Sequence, residues 1–206
     1  QTQNQQQPWK SLTAISPNQV LAVNAENQFV RVEFRTTPRP QLAELSVTNV
    51  PYLIELPPAV SGEHLFLATT DGKLVMLQTS TLQVLADTDL GLIPGATPKA
   101  VGNFVLVELA NKEVRVFRTD NGLQVTGTFP LDGYALADDP VLLPDMSCLV
   151  ARTDGSVIRI NPDGTVSETV TQLGQAIQQG PLMLNGRIIV IGLDGSLYQL
   201  NENTGK

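Results

Sequence analysis

The chain has 206 residues, 13 Lys+Arg against 20 Asp+Glu for a net charge of −7, one His, one Cys and one Trp, with 42% hydrophobic and 16% charged residues. One Cys excludes a disulfide framework or a cysteine zinc site within the chain, one His excludes any site that needs two imidazoles, and the acidic balance argues against a nucleic-acid or anionic-membrane footprint. No apolar run approaches the roughly 20 residues that span a bilayer.

The chain opens with Gln1-Thr2-Gln3-Asn4-Gln5-Gln6-Gln7-Pro8, which has neither the charged start nor the apolar stretch of an intact signal peptide. A polar, Gln-rich lead-in buries too little apolar surface to order itself, so residues 1–10 are expected to be a linker or a processed end.

From about residue 11 the sequence repeats. Glu26-Asn27 stands in VLAVNAENQFVRV, Asp71-Gly72 in HLFLATTDGKLVML, Asn111-Lys112 in FVLVELANKEVRVF, Asp154-Gly155 in CLVARTDGSVIRI and Asp194-Gly195 in RIIVIGLDGSLYQL. The first residues of these five pairs lie 40 to 45 residues apart. Fixed offsets carry the same chemistry. Three residues after each turn's first residue stand Phe29, Leu74, Val114, Val157 and Leu197; six after it stand Val32, Leu77, Phe117, Ile160 and Leu200. Four to six residues before it come Val20-Leu21-Ala22, Leu65-Phe66-Leu67, Val105-Leu106-Val107, Cys148-Leu149-Val150 and Ile188-Ile189-Val190.

Short runs rich in Val, Ile, Leu and Phe around an Asp-Gly pair predict β-hairpins with two-residue type I′ turns, which need positive φ. Near-continuous apolar character predicts strands covered on both faces, as stacked sheets would do. A second turn follows 10 or 11 residues later at Gly122, Gly164 and Gly205, and then more polar, outer strands such as Leu123 to Phe129. Pro-containing linkers lead into a short apolar strand, as at Pro98-Lys99-Ala100-Val101, Pro140-Val141-Leu142-Leu143 and Pro181-Leu182-Met183-Leu184. Each unit is thus four strands long, and the expected blades lie near 11–50, 51–92, 93–132, 133–174 and 175–206. The fold class is all-β, a β-propeller of about five four-stranded blades with the last incomplete.

At these residues the chain resembles the quinoprotein-type β-propeller repeat family, whose units carry a pattern like DGxLYALDxxTGKxxW. The best match is Asp194-Gly195-Ser196-Leu197-Tyr198-Gln199-Leu200 with Asn203-Thr204-Gly205-Lys206; the Asp154 copy follows closely. The resemblance covers the chain from about residue 12 onward. It implies an extracytoplasmic, periplasmic or secreted setting and is specific for fold, since the repeat builds quinone-dependent dehydrogenases as well as an outer-membrane assembly scaffold. The family's Trp would fall 15 residues after the Asp, where this chain has Gln41, Ala86, Thr126 and Thr169. Lys206 falls where a fourth strand would begin, so the chain reads either as a five-bladed ring with one incomplete blade or as part of a larger, seven- or eight-bladed propeller.

Candidate chemistry is sparse. His64 has no local partner nucleophile or carboxylate and is expected at a blade edge. Cys148 is expected as a small buried hydrophobe. Asp87/Asp89 and Asp138/Asp139 lack the spacing of a calcium loop and are expected to be solvated. The turn residues Asp71, Gly72, Asn111, Asp154, Gly155, Asp194 and Gly195 are expected to be structural, and the turns together to lend one face a negative tint. No Gly-rich phosphate loop is present, and Trp9, Tyr52, Tyr134 and Tyr198 are too scattered for a sugar-stacking platform. No catalytic residue, cofactor site or metal site is therefore expected, pyrroloquinoline quinone and calcium included. The expected role is a non-catalytic scaffold that meets a protein partner through a propeller face or an open blade edge. The alternatives are the propeller part of a quinone-dependent dehydrogenase and a sensor domain of a larger envelope protein.

Overall fold

The computed structural model describes residues 8–201, the Glu168 side chain excepted. The Gln-rich residues 1–7 and the Asn203-Thr204-Gly205-Lys206 motif lie outside the described residues. All regular structure is strand, in the order β1 (Trp9–Ser16), β2 (Gln19–Asn24), β3 (Gln28–Arg35), β4 (Gln41–Asn49), β5 (Ala59–Ser61), β6 (His64–Ala68), β7 (Lys73–Gln78), β8 (Val84–Asp89), β9 (Lys99–Val101), β10 (Phe104–Glu108), β11 (Glu113–Arg118), β12 (Gln124–Pro130), β13 (Val141–Leu142), β14 (Cys148–Ala151), β15 (Ser156–Ile160), β16 (Val166–Gln172), β17 (Ile177–Leu184), β18 (Arg187–Gly192) and β19 (Leu197–Leu200). β1 begins at Trp9, so the polar lead-in is shorter than the sequence suggests: Trp9 already pairs with Asn24 of the second strand.

The strands form antiparallel meanders in which sequence neighbours are hydrogen-bonded neighbours. One compact unit, residues 1–98, holds the sheets β1–β4 and β5–β8; a second, residues 99–206, holds β9–β12, β13–β16 and the three-stranded β17–β19. These are the first to fifth sheets below.

Inside each unit, sheets stack face to face, and the alternation of side chains along a strand decides which neighbour each residue meets. In the first unit Leu21, Val23 and Phe29 of the first sheet share a core with Leu65, Leu67, Val75 and Leu77 of the second. In the second unit Phe104, Leu106, Val114 and Val116 of the third sheet pack with Cys148, Val150, Ile158 and Ile160 of the fourth. The alternate residues of that same fourth sheet, Leu149, Ala151 and Val157, turn the other way and pack with Ile188, Val190 and Leu200 of the fifth. Thus β14 is buried on both faces, which is why it reads as an unbroken apolar run. The outer strand β8 lies at the sheet edge, pairs with β7 alone and mixes exposed with half-buried residues.

Two features depart from the sequence expectation. A β-bulge interrupts the pairing of the third and fourth strands at one place in the first three sheets: between Arg31 and Val32, Met76 and Leu77, and Val116 and Phe117. Pairing in the fourth sheet shifts at the corresponding place, between Ile158 and Ile160. Such bulges bend and twist the outer strand. In addition, β17 does not begin at Pro181 but at Ile177; the ladder shifts register between Gln179 and Leu182, which lets a residue without an N–H sit inside a strand.

Candidate functional site

The hairpin turns come first, because the sequence singles them out. The Asp-Gly pairs do not form two-residue type I′ turns. Thr69 N–H donates to the Lys73 carbonyl at 2.9 Å and Gly72 N–H to the Thr69 carbonyl at 3.1 Å, closing a three-residue loop whose last residue is left-handed (Gly72, φ 84°). Lys112 N–H to Leu109, Gly155 N–H to Arg152 and Gly195 N–H to Gly192 repeat the arrangement at 2.9, 3.1 and 2.9 Å. Only one residue per loop needs positive φ, so Lys112 (φ 64°) and Asn27 (φ 57°) can replace glycine, whereas a type I′ turn would demand it twice. The preceding Asp is a local acceptor: Asp154 Oδ1 takes the Ser156 N–H at 2.9 Å, Asp194 Oδ1 the Ser196 N–H at 2.8 Å, and Asn111 Oδ1 the Glu113 N–H at 3.2 Å. Asp71 departs from this; in its loop Thr69 Oγ1 accepts the Lys73 N–H at 2.9 Å instead.

The loop carbonyls are also used. Gly72, Lys112 and Gly155 each accept, at 2.8 to 2.9 Å, the N–H of the residue that leaves the fourth strand: Leu90, Leu131 and Leu173. The segment entering the sheet is tied to the same loop, through Thr70 N–H to Leu53, Thr153 N–H to Ala135 and Leu193 N–H to Ala176, each at 2.9 Å. Asp154 sits in the densest of these networks. Arg152 bonds its carboxylate, donates to Ser156 Oγ at 2.9 Å and reaches the Pro130 carbonyl at 2.8 Å. Burial alone would raise the Asp154 pKa, but the bonds from Arg152 and Ser156 outweigh it and hold the carboxyl below the usual aspartate range. The Ser196 N–H does the same for Asp194.

The other candidate side chains are dispersed. His64 starts β6 and meets Phe66 edge to face, with ring centroids 6.3 Å apart. Cys148 is fully buried, and burial pushes its thiol up to about 12. Asp89 accepts the Gly91 N–H at 2.7 Å, and Asp139 pairs with Lys99 at 3.0 Å. Among the described residues no group of three His, Cys, Asp or Glu side chains is arranged to hold a metal ion.

What the sequence does not announce is the outer face of the first sheet. Here Leu12, Ala22, Val30 and Val47 line up across β1 to β4, and Phe34 lies opposite Leu42. Trp9, Leu12, Phe34, Leu42 and Val47 are exposed, Leu42 to 74%. A groove of about 530 Å³ runs over this face, lined by Pro8, Trp9, Asn24, Gln28, Val30, Glu44 and Val47. Exposed apolar surface of this continuity is typical of interaction sites. A faint signal was present: Leu42, Leu45 and Val47 in β4 occupy a strand type that elsewhere carries Asp87 and Asp89 or Gln124 and Thr128.

No protein-family model matches the sequence, and no curated protein matches it. Solved structures do. BamB from Moraxella catarrhalis aligns over 96% of this chain and 62% of its own, at a TM-score of 0.62 and 15% identity. Sqt1 from Saccharomyces cerevisiae aligns over 96% and 59%, at 0.66 and 13%. The β-propeller domain of Cps50 (Swd1) from Myceliophteria thermophila aligns over 90% and 68%, at 0.56 and 14%. The chain therefore spans about three fifths of the length of the first two. Likeness at this identity speaks to fold, and it agrees with the stacked four-stranded meanders: the chain is made of β-propeller blades.

Proposed function

We propose that this chain is a non-catalytic protein-binding propeller of the quinoprotein-like repeat type, acting outside the cytoplasm and needing neither pyrroloquinoline quinone nor calcium. The observation that carries the proposal is the exposed apolar face of the first sheet, with Trp9, Leu12, Leu42 and Val47 around a groove open to solvent. An open, strand-built groove of this kind suits a protein side-chain surface better than a small molecule, which needs a closer enclosure and a few convergent polar groups. The turn carboxylates support the non-catalytic half of the proposal, because Asp154 and Asp194 spend their oxygens on their own loops. The extracytoplasmic assignment rests on the repeat resemblance. No helix among the described residues is long and apolar enough to cross a membrane.

The test is affinity capture from envelope and cytosolic extracts with the wild-type chain and with Leu42→Asp/Val47→Asp. A protein retained by the wild type and lost by the variant supports the reading. Retention of nothing, or retention that ignores the substitutions, overturns it. A rise in melting temperature on adding pyrroloquinoline quinone with calcium overturns the cofactor-free part.

A further inference from the structure

The first unit holds a second concavity, on the side of the first sheet that faces the second. At one end of the core these two sheets share, where β1 turns into β2 and β7 leaves for β8, a cleft of about 220 Å³ opens between them. Ile15, which packs against that core, gives it an apolar wall; Gln19 and Arg31 line it from the first sheet, and Glu63, Thr79 and Ser80 from the second. Drug-sized ligands occupy roughly 300–1,000 Å³, so this cleft suits a molecule of only a few heavy atoms.

Two polar atoms of the lining residues are buried without a hydrogen-bond partner among the described residues: Arg31 Nε and Thr79 Oγ1. A buried polar group left unpaired is costly, and native structures keep few of them. Arg31 is also a cation whose bonds go to neutral acceptors. Its Nη2 donates to Gln19 Oε1 at 3.0 Å and its Nη1 to the Ser80 carbonyl, and among the described residues it forms no ion pair. Glu33 is close enough for its carboxyl to be held low, chiefly by the bond from Arg35 and further by the charge of Arg31, but its oxygen is taken by Arg35 at 2.7 Å. The third sheet differs at the matching place. Ser80 and Asp120 each stand nine residues after the first residue of their hairpin pair and two before a left-handed residue, Leu82 (φ 58°) or Gly122 (φ 85°). Asp120 pairs with Arg118 of its own sheet, whereas Ser80 brings no charge to Arg31.

We infer that this cleft binds a small monocarboxylate, whose oxygens accept from Arg31 Nε–H and from the Thr79 hydroxyl while its short alkyl part lies against Ile15. The guanidinium fork matches a carboxylate in geometry and charge, and bonds between ionised partners are the stronger kind. Glu63, exposed in the same lining, opposes a second negative charge, so dicarboxylates and inorganic phosphate are disfavoured. The inference stands apart from the protein-binding reading, since none of these residues lines the groove on the outer face.

The test titrates the full chain with propionate, succinate and inorganic phosphate, read by calorimetry and by amide shifts in nuclear magnetic resonance. Propionate is expected to bind with a dissociation constant of about 1 mM, within reach of so few atoms, and to move the amides of Gln19, Arg31 and Thr79; succinate and phosphate are expected to bind more weakly. Arg31→Gln is expected to weaken propionate about ten-fold or more, the loss of a charged bond, and Thr79→Val to weaken it less. Ser80→Asp places at the cleft the carboxylate that the third sheet has at Asp120; Ser80 is exposed, so this variant tests the site even if Arg31→Gln fails to fold, as circular dichroism checks. It too is expected to weaken propionate about ten-fold, by occupying Arg31. Absence of propionate binding, shifts confined to residues away from the cleft, binding that ignores Ser80→Asp or a folded Arg31→Gln, or equal binding of phosphate or succinate overturns the inference. None of these outcomes bears on capture of a protein by the outer face, which Leu42→Asp/Val47→Asp tests separately.

Discussion

Three glycines at one turn position make a graded experiment. Gly195, Gly72 and Gly155 all have φ between 83° and 94°, so alanine at any of them adopts a left-handed backbone at a cost of about 1–2 kcal/mol. Their surroundings differ. An added Cβ at Gly195 meets nothing within 4 Å; at Gly72 it comes within 3.2 Å of the Leu92 carbonyl oxygen; at Gly155 it would collide with the Gln175 carbonyl oxygen and stand 3.0 Å from that of Leu173. Backbone must move in the last case, adding about 1–3 kcal/mol of overpacking. Gly195→Ala is therefore expected to cost about 1–2 kcal/mol, Gly72→Ala slightly more, and Gly155→Ala about 2–5 kcal/mol. At about 2–4 °C per kcal/mol for a chain of this size, the melting temperatures separate clearly by circular dichroism. Lys112→Gly relieves the left-handed backbone at the same turn position, where φ is 64°, but also removes the 2.7 Å bond from Lys112 Nζ to the buried Glu108 carboxylate, so a net loss of stability is expected. Equal losses at Gly195 and Gly155 would refute the close approach of the entering segment to the fourth sheet's hairpin.

Cys148 is expected to resist alkylation at pH 8 until the protein unfolds, because its thiol is buried and pushed up to about 12; rapid labelling of the native protein by a thiol reagent would contradict its place among Phe104, Val150 and Ile160. Cys148→Ser leaves a hydroxyl without a designed partner there and is expected to cost about 1–3 kcal/mol in urea unfolding. Asp154→Asn is expected to cost about 1–2 kcal/mol at pH 7 by weakening the charged bond to Arg152. Asp154 has a folded pKa below its unfolded one, so its contribution is present above the usual aspartate range near pH 4 and is lost as pH falls through the depressed folded value. The gap between Asp154→Asn and wild type should therefore narrow as pH falls below the usual aspartate range, and a gap that keeps its full size in acid would refute the ion-pair account.

The repeat was legible because the arms of each hairpin are apolar at the same offsets, a pattern that survives when the turn itself decays to Glu26-Asn27 or Asn111-Lys112. Blade architecture followed from period and strand count. Turn type did not, because an Asp-Gly pair suits both a two-residue turn and the last two places of a three-residue loop; the distinction lies in the Thr69 and Arg152 backbone bonds. The bulge at Met76/Leu77 and its counterparts left no residue signature, being a property of ladder register. The apolar face of the first sheet was hidden for another reason. Leu12, Leu42 and Val47 look like ordinary strand residues, and only the structure shows that no described neighbour covers them.

The bonds from Gly72, Lys112 and Gly155 to the residues leaving the fourth strand carry a mechanical consequence. The second, third and fourth hairpin loops hold the chain on its way out of the sheet, and the second, fourth and fifth hold it on its way in. Tension applied along a connecting segment therefore reaches the loop joining the two innermost strands before it can peel an outer strand from the edge. Where both ties are present, in the second and fourth sheets, the load path closes on itself within some forty residues. Such a sheet yields as a single element or stays whole.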